Sequence, residues 1–267
     1  MFKKGAVVGV VHLLALPGSP GYGGSMRRIL DRARRDAGAY AEGGVDALIV
    51  ENFGDAPFLK EGLAPETIAA LTRSAAAVRE EADLPLGINA LRNDARAALG
   101  IAVATEAAFI RVNVHAGVMA TDQGLIEGRA AETLRARAAL RSPITILADV
   151  HVKHGQPLFA GDLVQAARDL VERGGADALV LSGAATGSPT DLGDLERVRA
   201  ALPEAVLLAG SGVTLKQVDR VLLHADGVIV GTALKRGGRT TAPVDRARVN
   251  RFVSAVRAAS PRSRRSG

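Results

Sequence analysis

Eight short runs of Val, Ile, Leu and Ala recur along the chain, near 6–12, 47–52, 86–90, 109–114, 145–151, 178–182, 206–209 and 227–230. They are almost continuously apolar, the pattern of parallel strands covered on both faces. Helical patterns lie between them. Over 27–42, Ile29, Leu30, Ala33, Ala37, Tyr40 and Ala41 share one stripe that stops at Gly43–Gly44, a helix-ending signal. Over 162–173, Leu163, Val164, Ala167, Leu170 and Val171 repeat the scheme, and Leu192, Leu195, Val198 and Leu202 form another stripe. Thr214 with Gln217 has the spacing of a helix-capping box. Eight such units in 267 residues is about 33 residues each, the repeat of a closed (β/α)8 TIM barrel. The fold expected is therefore α/β, one barrel domain over 1–256 with an Arg-rich, disordered tail at 257–267. An open, doubly wound sheet is the competing architecture.

The segment Gly43-Gly44-Val45-Asp46 before the second strand is echoed by Gly174-Gly175-Ala176-Asp177 before the sixth. It is either the trace of a duplicated half-barrel or simply good chemistry for leaving a helix and starting a strand.

Composition narrows the function. With no cysteine, disulfides, thiolate chemistry and Cys-bound metals are excluded. Aromatics are 3% and Trp is absent, a poor endowment for stacking on bases, so no specific nucleic-acid partner is expected. The sequence pI is near 10.1. Yet four arginines of the last eleven residues carry most of the net charge of +6, leaving +2 for residues 1–256. The body is not basic, and the tail offers at most adhesion to an anionic surface. No apolar run reaches the ~18 residues of a membrane span and no signal-peptide pattern opens the chain. A cytoplasmic homo-oligomer is expected, with peripheral membrane association left open.

In a barrel of this kind the site lies where the strands end, and nearly every strand here ends in polar residues. The first ends at His12, the second at Glu51–Asn52, and the third leads into Asn89, Arg92, Asn93 and Asp94. The fourth carries Arg111 and Asn113, the fifth Asp149, His151 and Lys153, and the sixth Ser182–Gly183. On an extended strand Asp149, His151 and Lys153 share a face, as do Arg111 and Asn113. Together they suit an anionic ligand and proton transfer, with an ion pair of Asp149 to Arg111 or Lys153 as the plain alternative. Lys153 as a Schiff-base nucleophile is a further option. His151 and His154 fall on opposite faces of a strand, so no zinc site is expected; Mg²⁺ held by a carboxylate and a substrate phosphate stays open. Gly210-Ser211-Gly212 and Gly231-Thr232 follow the last two strands, the usual phosphate position of such barrels. Long loops at 13–25, 54–64, 115–128 and 183–191 read as lids or binding loops.

The segments Gly9–Pro20, Val50–Phe58, Leu91–Asp94, Phe109–Asn113, Thr121–Gly124 and Ala148–His154 resemble those of the BtpA/SgcQ family. So do Ser182–Gly183 with Thr186–Gly187, Gly210–Thr214, Gly231–Lys235 and Pro243–Asp245. The resemblance spans roughly 5–253. It implies a barrel related to phosphate-binding ones. It also implies either a general metabolic activity or a part in photosystem I biogenesis, since one member is tied to that process and another lies in a sugar-utilisation region.

The expectation is thus an enzyme for a small phosphorylated metabolite, of the sugar or nucleoside phosphate class, acting by isomerisation, cleavage or hydrolysis. Asp149 would be the acid/base, Lys153 and Arg111 its electrostatic partners, and Asn113 and Glu51 orienting groups. His12, Asn52, Asn89, Arg92, Asn93, Asp94, His151, Ser182 and Gly183 would bind substrate. Gly210, Ser211, Gly212, Gly231 and Thr232 would bind phosphate. The alternatives are a non-catalytic assembly factor for a membrane complex and a ligand-binding regulatory barrel.

Overall fold

The computed structural model describes residues 2–60, 62–158, 161–183, 190–210 and 212–259. Along the chain the elements are β1 (Ala6–His12), α1 (Met26–Glu42), β2 (Ala47–Glu51), α2 (Pro65–Glu81), β3 (Leu86–Asn89), α3 (Ala95–Ala104) and β4 (Phe109–Val112). Next come β5 (Val118–Thr121), β6 (Gly124–Glu127), α4 (Ala130–Ala139), β7 (Thr145–Asp149), β8 (Gly155–Pro157) and α5 (Leu163–Arg168), which continues as a π-helical turn over Asp169–Arg173. The rest are β9 (Ala178–Ser182), α6 (Leu192–Ala201), β10 (Leu207–Gly210), α7 (Val218–His224), β11 (Gly227–Val230) and α8 (Arg246–Ala259). Eight parallel strands close in the order β1-β11-β10-β9-β7-β4-β3-β2, so the chain is a (β/α)8 TIM barrel.

Alternate strand residues fill two cores, as strand geometry requires. Val8, Val10, Ile49, Phe109, Leu147, Val180, Leu208 and Ile229 pack inside the barrel. Val7, Val11, Leu48, Ile88, Ile110 and Leu179 face the helix layer. The barrel is plugged at its base by Phe2, whose ring meets Phe109 edge-on with centroids 5.4 Å apart.

The echoed Gly-Gly-x-Asp has a local cause. Asp46 accepts from the Val7 amide at 2.7 Å and from Arg257 at 2.7 Å. Asp177 likewise accepts from the Ile146 amide at 2.8 Å and from Arg137 at 2.6 Å. Asp226, which no glycine pair precedes, does the same with the Leu207 amide at 2.9 Å and Arg199 at 2.6 Å. Each carboxylate thus ties the start of a neighbouring strand and anchors an arginine. This favours the reading of the echo as sound strand-entry chemistry.

Four expectations need correction. The strand expected over 145–151 ends at Asp149 and that over 109–114 at Val112. The segment 115–128 is not a plain loop: β5 and β6 form a hairpin, and β8 pairs with β5 into a three-stranded antiparallel sheet over the barrel mouth. Its small core is Val114, Met119, Ile126 and Val152. Thr214 caps no helix; α7 begins at Val218. Arg257, counted above with the tail, lies in α8 and bonds the Gly5 carbonyl at 2.9 Å. Residues 260–267, with the rest of that tail, lie outside the described residues. No helix among the described residues is long and apolar enough to cross a membrane.

Candidate active site at the barrel mouth

Two adjoining cavities open at the strand ends. The larger, about 660 Å³, runs from His12, Glu51, Arg111 and Lys153 past Gly212–Lys216 and Gly231–Leu234 to Arg248 and Arg251 of α8. The smaller, about 240 Å³, is bounded by Asn89, Arg92, Asn113, Asp122, Asp149 and His154. Glu51, Phe53, Arg111 and Lys153 line both, so they form the wall shared by the two cavities.

Arg111 and Asp149 are paired two-pronged, Nε to Oδ1 at 2.8 Å and a terminal nitrogen to Oδ2 at 2.9 Å. Asn113 also donates to Asp149 Oδ2 at 3.0 Å, and Asn89 braces the group by donating to the Arg111 carbonyl and to Asn113 Oδ1, each at 3.0 Å. Both Asp149 oxygens are therefore occupied. The three contacts are charge-assisted and lie in a dry setting, so they hold the Arg111 side chain in one orientation. The geometry of Asp149 is that of a brace that aims Arg111, the ion pair that the strand pattern offered as the plain alternative to an acid/base.

Glu51 is the opposite case. It is 7% exposed. Among the described residues the charged group within 4 Å of its carboxyl is His12 Nε2, at 3.9 Å. Burial holds its proton on above the usual carboxylate range, although Arg111 and Lys153 pull the other way. Lys153 moves toward it from the other side: burial, then the Arg111 cation, bring its ammonium down to about 8. Two groups that normally titrate far apart are thus drawn toward neutrality on one wall, a common setting for acid–base work.

His151 does not join them. Because β7 stops at Asp149, the shared face is lost; Lys153 reaches the cavities, whereas His151 lines neither and has Asp194 of α6 as its electrostatic neighbour. Three other expected ligand contacts serve the backbone. Asn52 bonds the amide of Leu91 at 2.7 Å and its carbonyl at 3.2 Å; Asn93 does the same for Val114, at 2.8 and 2.9 Å. Asp94 caps α3 through Ala97 and accepts from the Leu63 amide. Arg92 lines the smaller cavity and donates to the Lys153 carbonyl.

Of the glycine loops, Gly212, Gly231 and Thr232 line the larger cavity, and Ser211 lies outside the described residues. Gly210 and Ser182 face one another instead, since a Cβ on Gly210 would stand 2.9 Å from Ser182 Oγ. Gly183 lines neither cavity. Gly231 is required by His12: a Cβ there would lie 2.8 Å from the ring's Cε1. Sequence reading missed Phe53, Asp122, Lys216, Arg248 and Arg251. Asp122 had a signal, in the Thr-Asp-Gln-Gly turn; the basic residues had none, being scattered among many like them. Among the described residues no three His, Asp or Glu side chains gather as a metal site would need.

The sequence matches the BtpA family over residues 3–258. The chain belongs to the BtpA family. It is 48% identical over 250 residues to the photosystem I biogenesis protein BtpA of Synechocystis, covering 94% of this chain and 87% of that one. A protein of Pyrococcus abyssi is 47% identical over 94% of this chain and 95% of its own. Among solved structures, orotidine 5'-phosphate decarboxylase from Pyrococcus horikoshii superposes with a TM-score of 0.59 at 15% identity, over 94% of this chain and 99% of the other. At that identity the likeness speaks for the barrel alone.

Proposed function

We propose that this member of the family is an enzyme acting on a small phosphorylated metabolite of the sugar or nucleoside phosphate class. The observation that carries the reading is the lining of the larger cavity, where five cations, Arg111, Lys153, Lys216, Arg248 and Arg251, face a single carboxyl, Glu51. Such a wall favours a dianion, and the glycine loops let backbone approach it closely. Glu51 and Lys153 then pass a proton to and from the ligand, while Arg111, held by Asp149, meets the negative charge that develops. A resident Mg²⁺ is not needed for this scheme; one carried in by the phosphate is compatible with it.

Calorimetric binding of phosphorylated sugars and nucleotides tests the reading. Arg251→Ala is expected to weaken a phosphorylated ligand about tenfold, the loss of one charge-assisted contact. Glu51→Gln is expected to leave affinity near that of the parent and remove turnover. No binding by any phosphorylated compound overturns the proposal.

The Synechocystis relative's name favours a second reading, a non-catalytic factor in assembly of a membrane complex. Such a factor needs no tuned carboxyl and amine. If the Glu51→Gln chain restored photosystem I in a Synechocystis strain lacking that relative as fully as the parent chain did, the second reading would prevail.

A further inference from the structure

His12 and Lys235 make a buried pair that the scheme above does not use. Lys235 follows β11, 223 residues from His12, and its side chain is fully buried. Its Nζ stands 2.8 Å from His12 Nδ1 and donates to the Thr240 carbonyl at 2.8 Å. The ring is pinned from other sides too. Phe53 lies against it with centroids 4.5 Å apart, and Gly231 leaves just enough room for it. Its other nitrogen, Nε2, is 3.9 Å from Glu51 Oε1, and both residues line the large cavity.

Chemistry decides which nitrogen carries the proton. An ammonium has three donors and no acceptor, so the imidazole nitrogen beside it must be the bare one. The proton of a neutral ring then sits on Nε2. Burial and the Arg32 cation bring Lys235 down to about 8, though Asp36 opposes this, so it remains mostly charged at neutrality. Burial first, then Lys235 and Lys153, hold His12 well below the usual imidazole range, so a second ring proton is disfavoured. The Thr240 carbonyl, which accepts from Lys235, also hydrogen-bonds the ring and pulls its titration the other way, so it is the lysine's competitor at this edge.

We infer that Lys235 is a positioning residue that locks His12 as the neutral Nε2–H tautomer, making it a standing hydrogen-bond donor into the cavity. A fixed donor does not abstract protons; it receives an oxygen acceptor. Resting on the reading of this cavity as an anion site, the inference adds what lies at the other end of the ligand from the phosphate. That group is a carbonyl or carboxylate oxygen, held between His12 Nε2–H, Lys153 and Arg111.

The test is two-bond ¹H–¹⁵N correlation NMR of the ligand-free, ¹⁵N-histidine chain at neutral pH, with His12 assigned through a His12→Gln variant. The expected spectrum has a pyrrole-type Nε2 and a pyridine-type Nδ1. A pyrrole-type Nδ1, or an imidazolium, overturns the lock, whatever any variant does. Lys235→Met keeps the length of the side chain and removes the cation. It is expected to mix the two tautomers and raise the ring's titration toward that of a free histidine. An unmoved His12 signal in that variant means Lys235 is merely structural and also overturns the proposal. With 2-phosphoglycolate as probe the Nε2 resonance should shift, and with inorganic phosphate it should not. Phosphate binding with no Nε2 response to phosphoglycolate removes the donor role. An intact Nε2–H tautomer in a chain that binds no phosphate at all removes the anion-site reading instead and leaves the lock standing.

Discussion

At the scale of single residues, the mouth separates carboxyls by what surrounds them rather than by where they stand in the sequence. Asp149 and Glu51 both end a strand, and one is saturated with partners while the other has almost none. Asp149→Asn is accordingly expected to act on stability before chemistry. It strips the buried Arg111 of its counter-charge, a change worth roughly 3–5 kcal/mol by denaturant unfolding. Lys153 gives a signed pH effect. Its folded-state value of about 8 lies below that of the unfolded chain. Between the two the unfolded state holds more protons, so this group adds to stability as pH rises through that window. Lys153→Met should flatten that stretch of the pH–stability curve; an identical curve would mean that Lys153 titrates normally. Glycine variants are less clean reporters. Gly231→Asp would push on the His12 ring, and Gly212, at φ +71, sits where a side chain is strained, so lost binding would mix sterics with charge.

At the scale of elements, the barrel strands were readable because eight apolar runs of similar length must be buried on both faces. The sheet of β5, β6 and β8 was not: its strands are three or four residues long and their burial does not alternate cleanly. Polar strand ends were readable as a group but not one by one. Nothing in the sequence separates Asn89, which faces a cavity, from Asn52 and Asn93, which stitch loops. His12 was visible as a strand end, but its partner Lys235 comes from the far end of the chain. The small sheet rests on four side chains and should therefore be a separate, weaker unit. Ile126→Ala, a deletion that costs ~2–4 kcal/mol in a rigid core, is expected to raise amide exchange over 118–127 and leave exchange in the eight barrel strands unchanged. Exchange that rises everywhere would show the sheet and barrel to be one cooperative block.

At the scale of the whole molecule, closure depends on the last helix. Phe252 and Val256 of α8 are buried, and Arg257 reaches back to Gly5 and Asp46. Removing residues 260–267 is expected to shift the melting temperature little, while Arg257→Ala should lower it by the degree or so that a partly exposed ion pair warrants. The reverse order would mean that the tail docks. Arg257 also places the two ends of the barrel's ring side by side on the face where strands begin, away from the mouth. The molecule is in this sense a loop fastened by one buckle. Ala259 joined to Phe2 by a short linker, with the chain opened instead between α4 and β7, should fold to the same barrel and leave both cavities as they are. Where the thread is cut matters less here than that the circle is complete.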